Sequence, residues 1–337
     1  MPDPIPSPIA SPIPSPVLEV TGLQVSVGDH LVAVHDVSFT IGRGESVGLV
    51  GESGSGKTLT CRSVLGLLPK TGEVDHGRIV LGGTELTGAS RRTWNEVRGT
   101  RLGAVFQDSA SYLNPSLTVG HQLAEQLRVK RGLSRGEAHR RAVELFTEVG
   151  LHDPEGVFHQ YPHQLSGGMQ QRVLIAISVS CEPELLIADE ATTALDVVIQ
   201  AEILDLLGRL RETHGLSLLL VTHDLAVVAE TCERILVMYG GEIVESGTTE
   251  EVLARPRHPY TQALMGVATI GTWERRSLEI IPGQPPTVGE DMPGCRFAPR
   301  CRYATDECTS GPVPLADLGG GRSARCARVD VLEGALA

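Results

Sequence analysis

The sequence predicts an α/β protein built on a mainly parallel sheet, and three observations carry that reading. The segments "SVGLVG", "ELLIAD" and "SLLLVTH" are short apolar runs of the kind that form strands buried on both faces. Segments such as "KTLTCRSVLGLL" and "VVIQAEILDLLGRLRETHG" carry apolar residues at helical spacing. The two kinds alternate along the chain, as parallel strands joined by crossover helices do. In chain order, "MPDPIPSPIASPIPSP" has seven prolines in sixteen residues and reads as an extended, solvated arm over 1–16. "LEVTGLQVSV" and "LVAVHDVSFTI" alternate as an antiparallel pair. "RLGAVFQ" is a further strand, and the stretch from about Val119 to Val149 is rich in helix. "SGGMQQRVLIAISVS" is another long helix, and "RILVMYGGEIVESG" is a hairpin turning at Gly240 and Gly241. After Pro256 the composition shifts to Pro, Gly, Arg and Cys. The expected organisation is therefore the arm, a main domain over 17–255 with a helical subdomain near 110–180, and an extension over 256–337.

Composition narrows the function classes. With 41% hydrophobic residues in 337, a sizeable core is available. A formal charge of −12 argues against nucleic acid as a partner, since phosphate backbones bind basic faces. No apolar run approaches the roughly 20 residues that span a bilayer, and the start lacks the cationic and apolar regions of a secretory signal. The expectation is a cytoplasmic location, where thiols stay reduced and clustered cysteines serve metals rather than disulfides.

"GESGSGKT" has the spacing G-x-x-x-x-G-K-[ST] between a strand and a helix, as a phosphate-binding loop requires. The backbone of Gly51, Glu52, Ser53, Gly54, Ser55 and Gly56 would curl its N–H groups around phosphates, helped by the helix N-terminus. Lys57 would reach the β- and γ-phosphates and the Thr58 hydroxyl would bind Mg²⁺. "LLIADE" ends a strand on two acids: Asp189 is suited to hold Mg²⁺, and Glu190 to polarise an attacking water. In "LSGGMQQ", Ser166, Gly167 and Gly168 open a second helix with free N–H groups, with Gln170 one turn inside. One ATP cannot occupy both glycine sites of one chain, so a second chain is implied.

With these motifs the chain resembles the ATP-binding cassette (ABC) ATPases. The resemblance implies a RecA-like parallel core, an antiparallel β subdomain and a helical subdomain, and two cassettes that pair head to tail with ATP between them. It also implies roles for three further residues. Gln107 in "VFQDSASYLNP" corresponds to the loop glutamine that senses Mg²⁺ and the membrane subunit. Asp196, ending "TALD", corresponds to the loop that communicates across the dimer, and His223 in "LLLVTHD" to the switch histidine at the γ-phosphate. Two positions depart from the family pattern. Ala191 stands where many members have proline, and "VSVGDH" lacks the aromatic ring that stacks on adenine, leaving His30 as the candidate substitute.

"RHPYTQALM", "IPGQPP" and the cysteine-rich tail resemble the extension of bacterial dipeptide/oligopeptide permease ATP-binding subunits. That resemblance covers about residues 17 to 330. It implies an importer at the cytoplasmic face of the membrane: two ATPases, paralogous rather than identical, under two permease subunits, with an external solute-binding protein delivering peptide. The alternatives are a nickel or other small-solute importer of the same family, a non-transport cassette, or an inactive regulatory cassette; the intact Lys57, Asp189, Glu190 and His223 oppose the last.

Cys295, Cys301, Cys308 and Cys326 are spaced C-x5-C-x6-C-x17-C. Structural zinc sites draw on closer pairs, whereas four widely spaced thiolates suit a [4Fe–4S] cluster. Zinc and unliganded thiols are the alternatives. From Met292 to Arg328 there are six arginines (296, 300, 302, 322, 325, 328) against three acids, an excess that could offset an anionic cluster. The peptide-permease resemblance also implies a four-cysteine cluster site. Its expected role is to staple an extension poor in core, with nothing in the sequence to bring it near the ATP.

Overall fold

The computed structural model describes residues 16–107, 109–191, 196–268 and 281–330. Residues 1–15 of the proline-rich arm, Asp108, "TTAL" at 192–195 and the segments 269–280 and 331–337 lie outside the described residues.

Strands β1 (Leu18–Val27) and β2 (Leu31–Ile41) pair antiparallel, as their alternation predicts. β4 (Gly72–Leu81) pairs with the other edge of β1, and the two-residue β5 (Thr84–Glu85) with β4. Among the described residues these make a four-stranded sheet in the order β2-β1-β4-β5.

The second sheet contains β3 (Ser46–Val50), β6 (Leu102–Phe106), β7 (Leu185–Asp189), β8 (Ser217–Thr222), β9 (Arg234–Tyr239) and β10 (Glu242–Thr248). β9, β3, β8, β7 and β6 run parallel, with β10 antiparallel at the β9 side through the hairpin at Gly240 and Gly241. Period-2 alternation explains the uniform apolarity of the central strands. Leu185 and Ile187 of β7 face the core shared with the antiparallel sheet, while Leu186 and Ala188 face the core under the helices.

Helix α1 (Lys57–Leu65) packs Cys61, Val64 and Leu65 into the first of those cores. α2 (Arg91–Val97) and α3 (Ser109–Tyr112) are short. α4 (Val119–Arg131), α5 (Arg135–Glu148), α6 (Pro154–Phe158) and α7 (Gly167–Val179) form the helical region. Ser134 and Glu137 close a reciprocal capping box that starts α5 where the sequence breaks from α4 at Gly132. α8 (Val197–His214) and α9 (Leu225–Thr231) cover the other face of the parallel sheet, followed by α10 (Thr249–Ala254) and α11 (Pro259–Ala268). Among the described residues, no helix is long and apolar enough to cross a membrane.

The extension does not stand apart from this frame. β11 (Ala316–Gly319) pairs with β12 (Arg322–Ala324), which pairs antiparallel with β10, so the core sheet reads β11-β12-β10-β9-β3-β8-β7-β6. Glu245 on β10 is fully buried and ties the two parts together. Its carboxylate accepts from the backbone N–H of Arg257 at 2.7 Å and of His258 at 2.9 Å, and from the Arg322 guanidinium at 3.0 Å. A buried carboxylate is tolerable only with such partners, and burial still pushes its pKa up.

Candidate functional site

In an open parallel sheet the C-terminal strand ends collect functional loops. Here β3 leads into the loop 51–56, β6 into Gln107, β7 into Glu190 and β8 into His223. Gly51 cannot carry a side chain, because a Cβ would lie 2.1 Å from the Met238 carbonyl oxygen. Gly54 and Gly56 have φ of 80° and 103°, conformations that glycine adopts freely. The loop therefore curls tightly into the start of α1, with backbone N–H groups unclaimed at the helix end.

Lys57 is buried, and its Nζ donates to the carbonyls of Gly51 at 2.7 Å and Glu52 at 3.0 Å. Burial lowers its pKa, and the nearby Glu190 and Asp189 oppose that. The Thr58 hydroxyl lies 3.5 Å from Oδ1 of Asp189, so the two expected Mg²⁺ ligands face each other across 131 positions of sequence. Burial, then the charge of Glu190, raises the Asp189 pKa. A divalent cation between them would relieve both effects. Glu190 has a φ of 50°, an uncommon conformation for a residue with a side chain, and His223 Nδ1 lies 3.8 Å from its Oε1.

One cavity joins these parts. Ser53 to Thr58, Gln107, Asp189 and Glu190 line it. Residues that sequence reasoning missed complete its walls. Tyr112 stacks on Phe106 (centroids 4.6 Å apart, planes at 18°) beside Gln107, and Arg62 of α1 lies near Asp189. Ala33 and Val288 form a further part of the wall. His30, the sequence candidate for the missing ring, is an exposed turn residue outside the lining. Val288 comes from the extension, held there by the Gly289 N–H donating to the Val32 carbonyl at 3.1 Å. Its only sequence signal is an apolar residue within "PPTVGED".

Ser166, Gly167, Gly168, Gln170 and Asp196 do not line this cavity. Ser166 caps α7 by accepting from the Met169 N–H at 3.3 Å, and with Gly167 it is exposed. Gln170 donates to the Pro162 carbonyl at 2.8 Å, fixing the turn before the helix. Asp196 caps α8 by accepting from the Ile199 N–H at 3.0 Å, beside the strongly exposed Val197 and Val198. These elements are built and left facing outward.

Cys295, Cys301, Cys308 and Cys326 come together around a second cavity, with His258 and Arg328 also in its wall. Burial pushes the Cys295 thiol up to about 12 and raises Cys301 and Cys326 as well. Among the described residues only His139, Glu155 and His159 bring three ligand atoms within 4.8 Å of one another. Four thiols around one cavity are a donor set of the kind that holds a metal group. Of the six arginines counted as offsetting charge, Arg328 lines this cavity. Arg322 pairs with Glu245, and Arg300 with Glu52 of the phosphate loop. Two other residues of the extension, Val288 and Arg300, reach the phosphate-loop region, while the cysteines line their own separate cavity.

Comparisons with known proteins identify the family. Residues 34–193 match the ABC transporter family, and residues 244–308 match the oligopeptide/dipeptide transporter C-terminal region. A putative peptide import ATP-binding protein of Brucella melitensis is 45% identical over 327 residues, covering 93% of this chain and 97% of the relative. The dipeptide transport ATP-binding protein DppD of Escherichia coli is 42% identical over 313 residues, 92% of this chain and 96% of that protein. Among solved structures, a dimeric ATP-binding cassette bound to ADP and Pi superposes with a TM-score of 0.61 at 29% identity, over 69% of this chain and 98% of that one. CbiO1 of Clostridium perfringens, part of the ABC transporter complex CbiONQ, gives 0.62 at 28%, over 71% and 91%.

Proposed function

The chain belongs to the ABC-transporter ATP-binding subunits of the peptide-import family, and from that premise we propose how its residues drive uptake of di- or oligopeptides. It is an ABC-type ATPase. The observation that carries the residue assignment is the convergence of Ser53 to Thr58, Asp189 and Glu190 on one cavity at the C-terminal ends of β3 and β7.

The N–H groups of 51–56 and the N-terminus of α1 receive the phosphates, and Lys57 turns from its loop carbonyls toward them. Thr58 and Asp189, with Gln107 beside them, are the residues that would hold Mg²⁺, which when bound neutralises phosphate charge. Glu190 accepts a hydrogen bond from the attacking water and polarises it, while His223 at 3.8 Å orients the acid and reaches toward the γ-phosphate. The exposed Ser166–Gly168 turn and Asp196 serve an ATP held by a second cassette, so hydrolysis belongs to the pair. Gln107, the exposed Tyr112 and the helical region are the face offered to the permease.

The assembly inferred is two such ATPases, a paralogue more simply than an identical chain, under two permeases at the cytoplasmic face of the membrane, fed by an external binding protein. The four cysteines are assigned as ligands of a [4Fe–4S] cluster, a reading supported by their wide spacing in the sequence and their meeting around one cavity. Bound there, the cluster would supply cross-linking between Cys295, Cys301, Cys308 and Cys326. Anaerobic purification should yield a brown chain with about four irons, lost in Cys301→Ser.

Glu190→Gln tests the core of this reading. It keeps the shape and removes the base, so ATP should still bind while turnover falls by about 10²–10⁴. Unchanged turnover in the assembled transporter would remove Glu190 from the mechanism.

A further inference from the structure

Arg300 immediately precedes Cys301, yet its side chain points away from the cysteines and is 4% exposed. All five guanidinium donors are used. Nη1 and Nη2 form a fork on the Glu52 carboxylate at 2.7 and 3.1 Å. Nη1 also donates to the Tyr239 hydroxyl at 3.2 Å, Nη2 to the Ile281 carbonyl at 3.1 Å and Nε to the Pro282 carbonyl at 2.9 Å. Glu52 is the second residue of the phosphate loop, and its N–H donates to the Tyr260 hydroxyl at 2.8 Å. Both its carboxylate and its amide are therefore held by residues C-terminal to the parallel core, while Lys57 holds its carbonyl from inside the loop.

The loop that delivers Arg300 is itself set by the cysteines. The Cys295 N–H donates to the Cys308 carbonyl at 2.7 Å, the Ala298 N–H to the Cys295 carbonyl at 2.9 Å, and the Cys301 N–H to the Ala298 carbonyl at 3.2 Å. Between the two cysteines, Phe297 is buried edge-on against Tyr239 (5.2 Å, 85°) and Tyr260 (5.4 Å, 61°), the two tyrosines that touch Arg300 and Glu52. A contiguous packed path thus runs from the cysteine loop through Phe297, Tyr239 and Tyr260 to Arg300 and Glu52 of the phosphate loop.

Charge gives this contact a consequence. An unpaired carboxylate at Glu52 would oppose a polyphosphate bound a few residues away, and the Arg300 fork neutralises it. We propose that Arg300 is a positioning residue of the ATP site, and that the four-cysteine site acts on nucleotide affinity through it: filling the thiolate site fixes the 295–301 loop, which holds Glu52 neutralised and the phosphate loop in its binding shape. The link to the cysteines rests on the ligand-set reading given above, whereas the Arg300 assignment rests on its own contacts.

The test titrates Mg·ATP by calorimetry into the anaerobically purified full chain, with iron content measured on every sample. Arg300→Ala should weaken ATP binding about 10-fold while retaining its iron, and Arg300→Lys, which keeps charge but loses the fork, should fall between. Glu52→Gln in the Arg300→Ala background should restore most of the affinity, which loss of packing alone would not do. Cys301→Ser should lose iron and weaken ATP binding to the same degree, and combining it with Arg300→Ala should add nothing. Hydrogen exchange over residues 48–58 should rise equally in both single variants. An unchanged ATP affinity in Arg300→Ala overturns the positioning role. Additive losses in the double variant overturn the link between cysteines and phosphate loop. A wild-type chain without bound metal, whose affinity still falls in Arg300→Ala and not in Cys301→Ser, overturns the cysteine reading and leaves the positioning role standing.

Discussion

Two helices of this chain, α1 and α7, begin at glycine-rich turns, and each offers free backbone N–H groups to an anion. Their surroundings differ sharply. The turn before α1 is walled by Asp189, Glu190, Gln107 and Val288, and its lysine is buried. The turn before α7 lies on an exposed face, with Ser166 and Gly167 open and the side chain of Ile199 beside Gly168. A helix end supplies the same dipole in both places, but only walls that bring acids and a cation site within reach make it a centre for chemistry. The second turn needs a surface from another molecule to become half of a site.

The sharpest way to break that contrast is Ser166→Arg. It puts a bulky cation where a partner's phosphates would rest, so turnover of the shared site should fall by about 10²–10³, comparable to losing a preorganised donor. ATP affinity of the altered chain's own loop should stay constant. A transporter that turns over normally would eliminate the facing-turn geometry.

The next largest effect compares one glycine from each turn. Gly51→Ala drives a methyl into the Met238 carbonyl, which cannot move without shifting β9, so ATP affinity should drop about 10- to 100-fold. At Gly168 the added methyl meets Ile199 Cγ2 at 3.0 Å, a side chain able to rotate, so Gly168→Ala should leave ATP affinity intact. Calorimetry on both folded variants reads the difference; equal losses would make the two turns equivalent after all.

A smaller effect is expected at the Val288 wall of the cavity. Val288→Asp replaces an apolar wall residue with a charge beside a polyanion, and should weaken ATP binding about three- to tenfold. If affinity is unaffected, Val288 is not part of the nucleotide's surroundings.

The smallest effect concerns the seam between the antiparallel sheet and the extension. Burial first, and then the Arg296 charge, lower the His35 pKa from its usual 6.5 to about 4. Between those values the unfolded chain binds a proton that the folded chain refuses, so stability falls as pH drops from about 6.5 to about 4 and levels off below. His35→Gln should flatten that part of the pH–stability curve. Chemical denaturation at several pH values measures it, and an unchanged slope would relieve His35 of the effect.

Legibility in the sequence followed locality. The loop 51–58, the acids 189 and 190 and the helix beginning at Gly167 are contiguous, and each carries its own spacing or punctuation. Asp196 was legible as a motif, and the structure adds its helix-capping contact with Ile199. The excess of arginines in the extension was legible as charge, but not as pairing. Composition has no way to assign Arg300 to Glu52, Arg322 to Glu245 and Arg328 to the cysteine cavity.

By itself the sequence determined the parallel core, the phosphate loop and the acids that follow β7, because strand periodicity, glycine spacing and strand-end position are properties of short stretches. It also determined the family of the extension, through segments such as "RHPYTQALM" and the four cysteines. Only the tertiary structure decided that β12 extends the core sheet, that Val288 walls the nucleotide cavity, and that Arg300 grips a residue 248 positions earlier. Contacts over such separations arise when independently formed elements pack, and the choice among the available carboxylates is made by where the backbone delivers the guanidinium, a quantity no local pattern encodes.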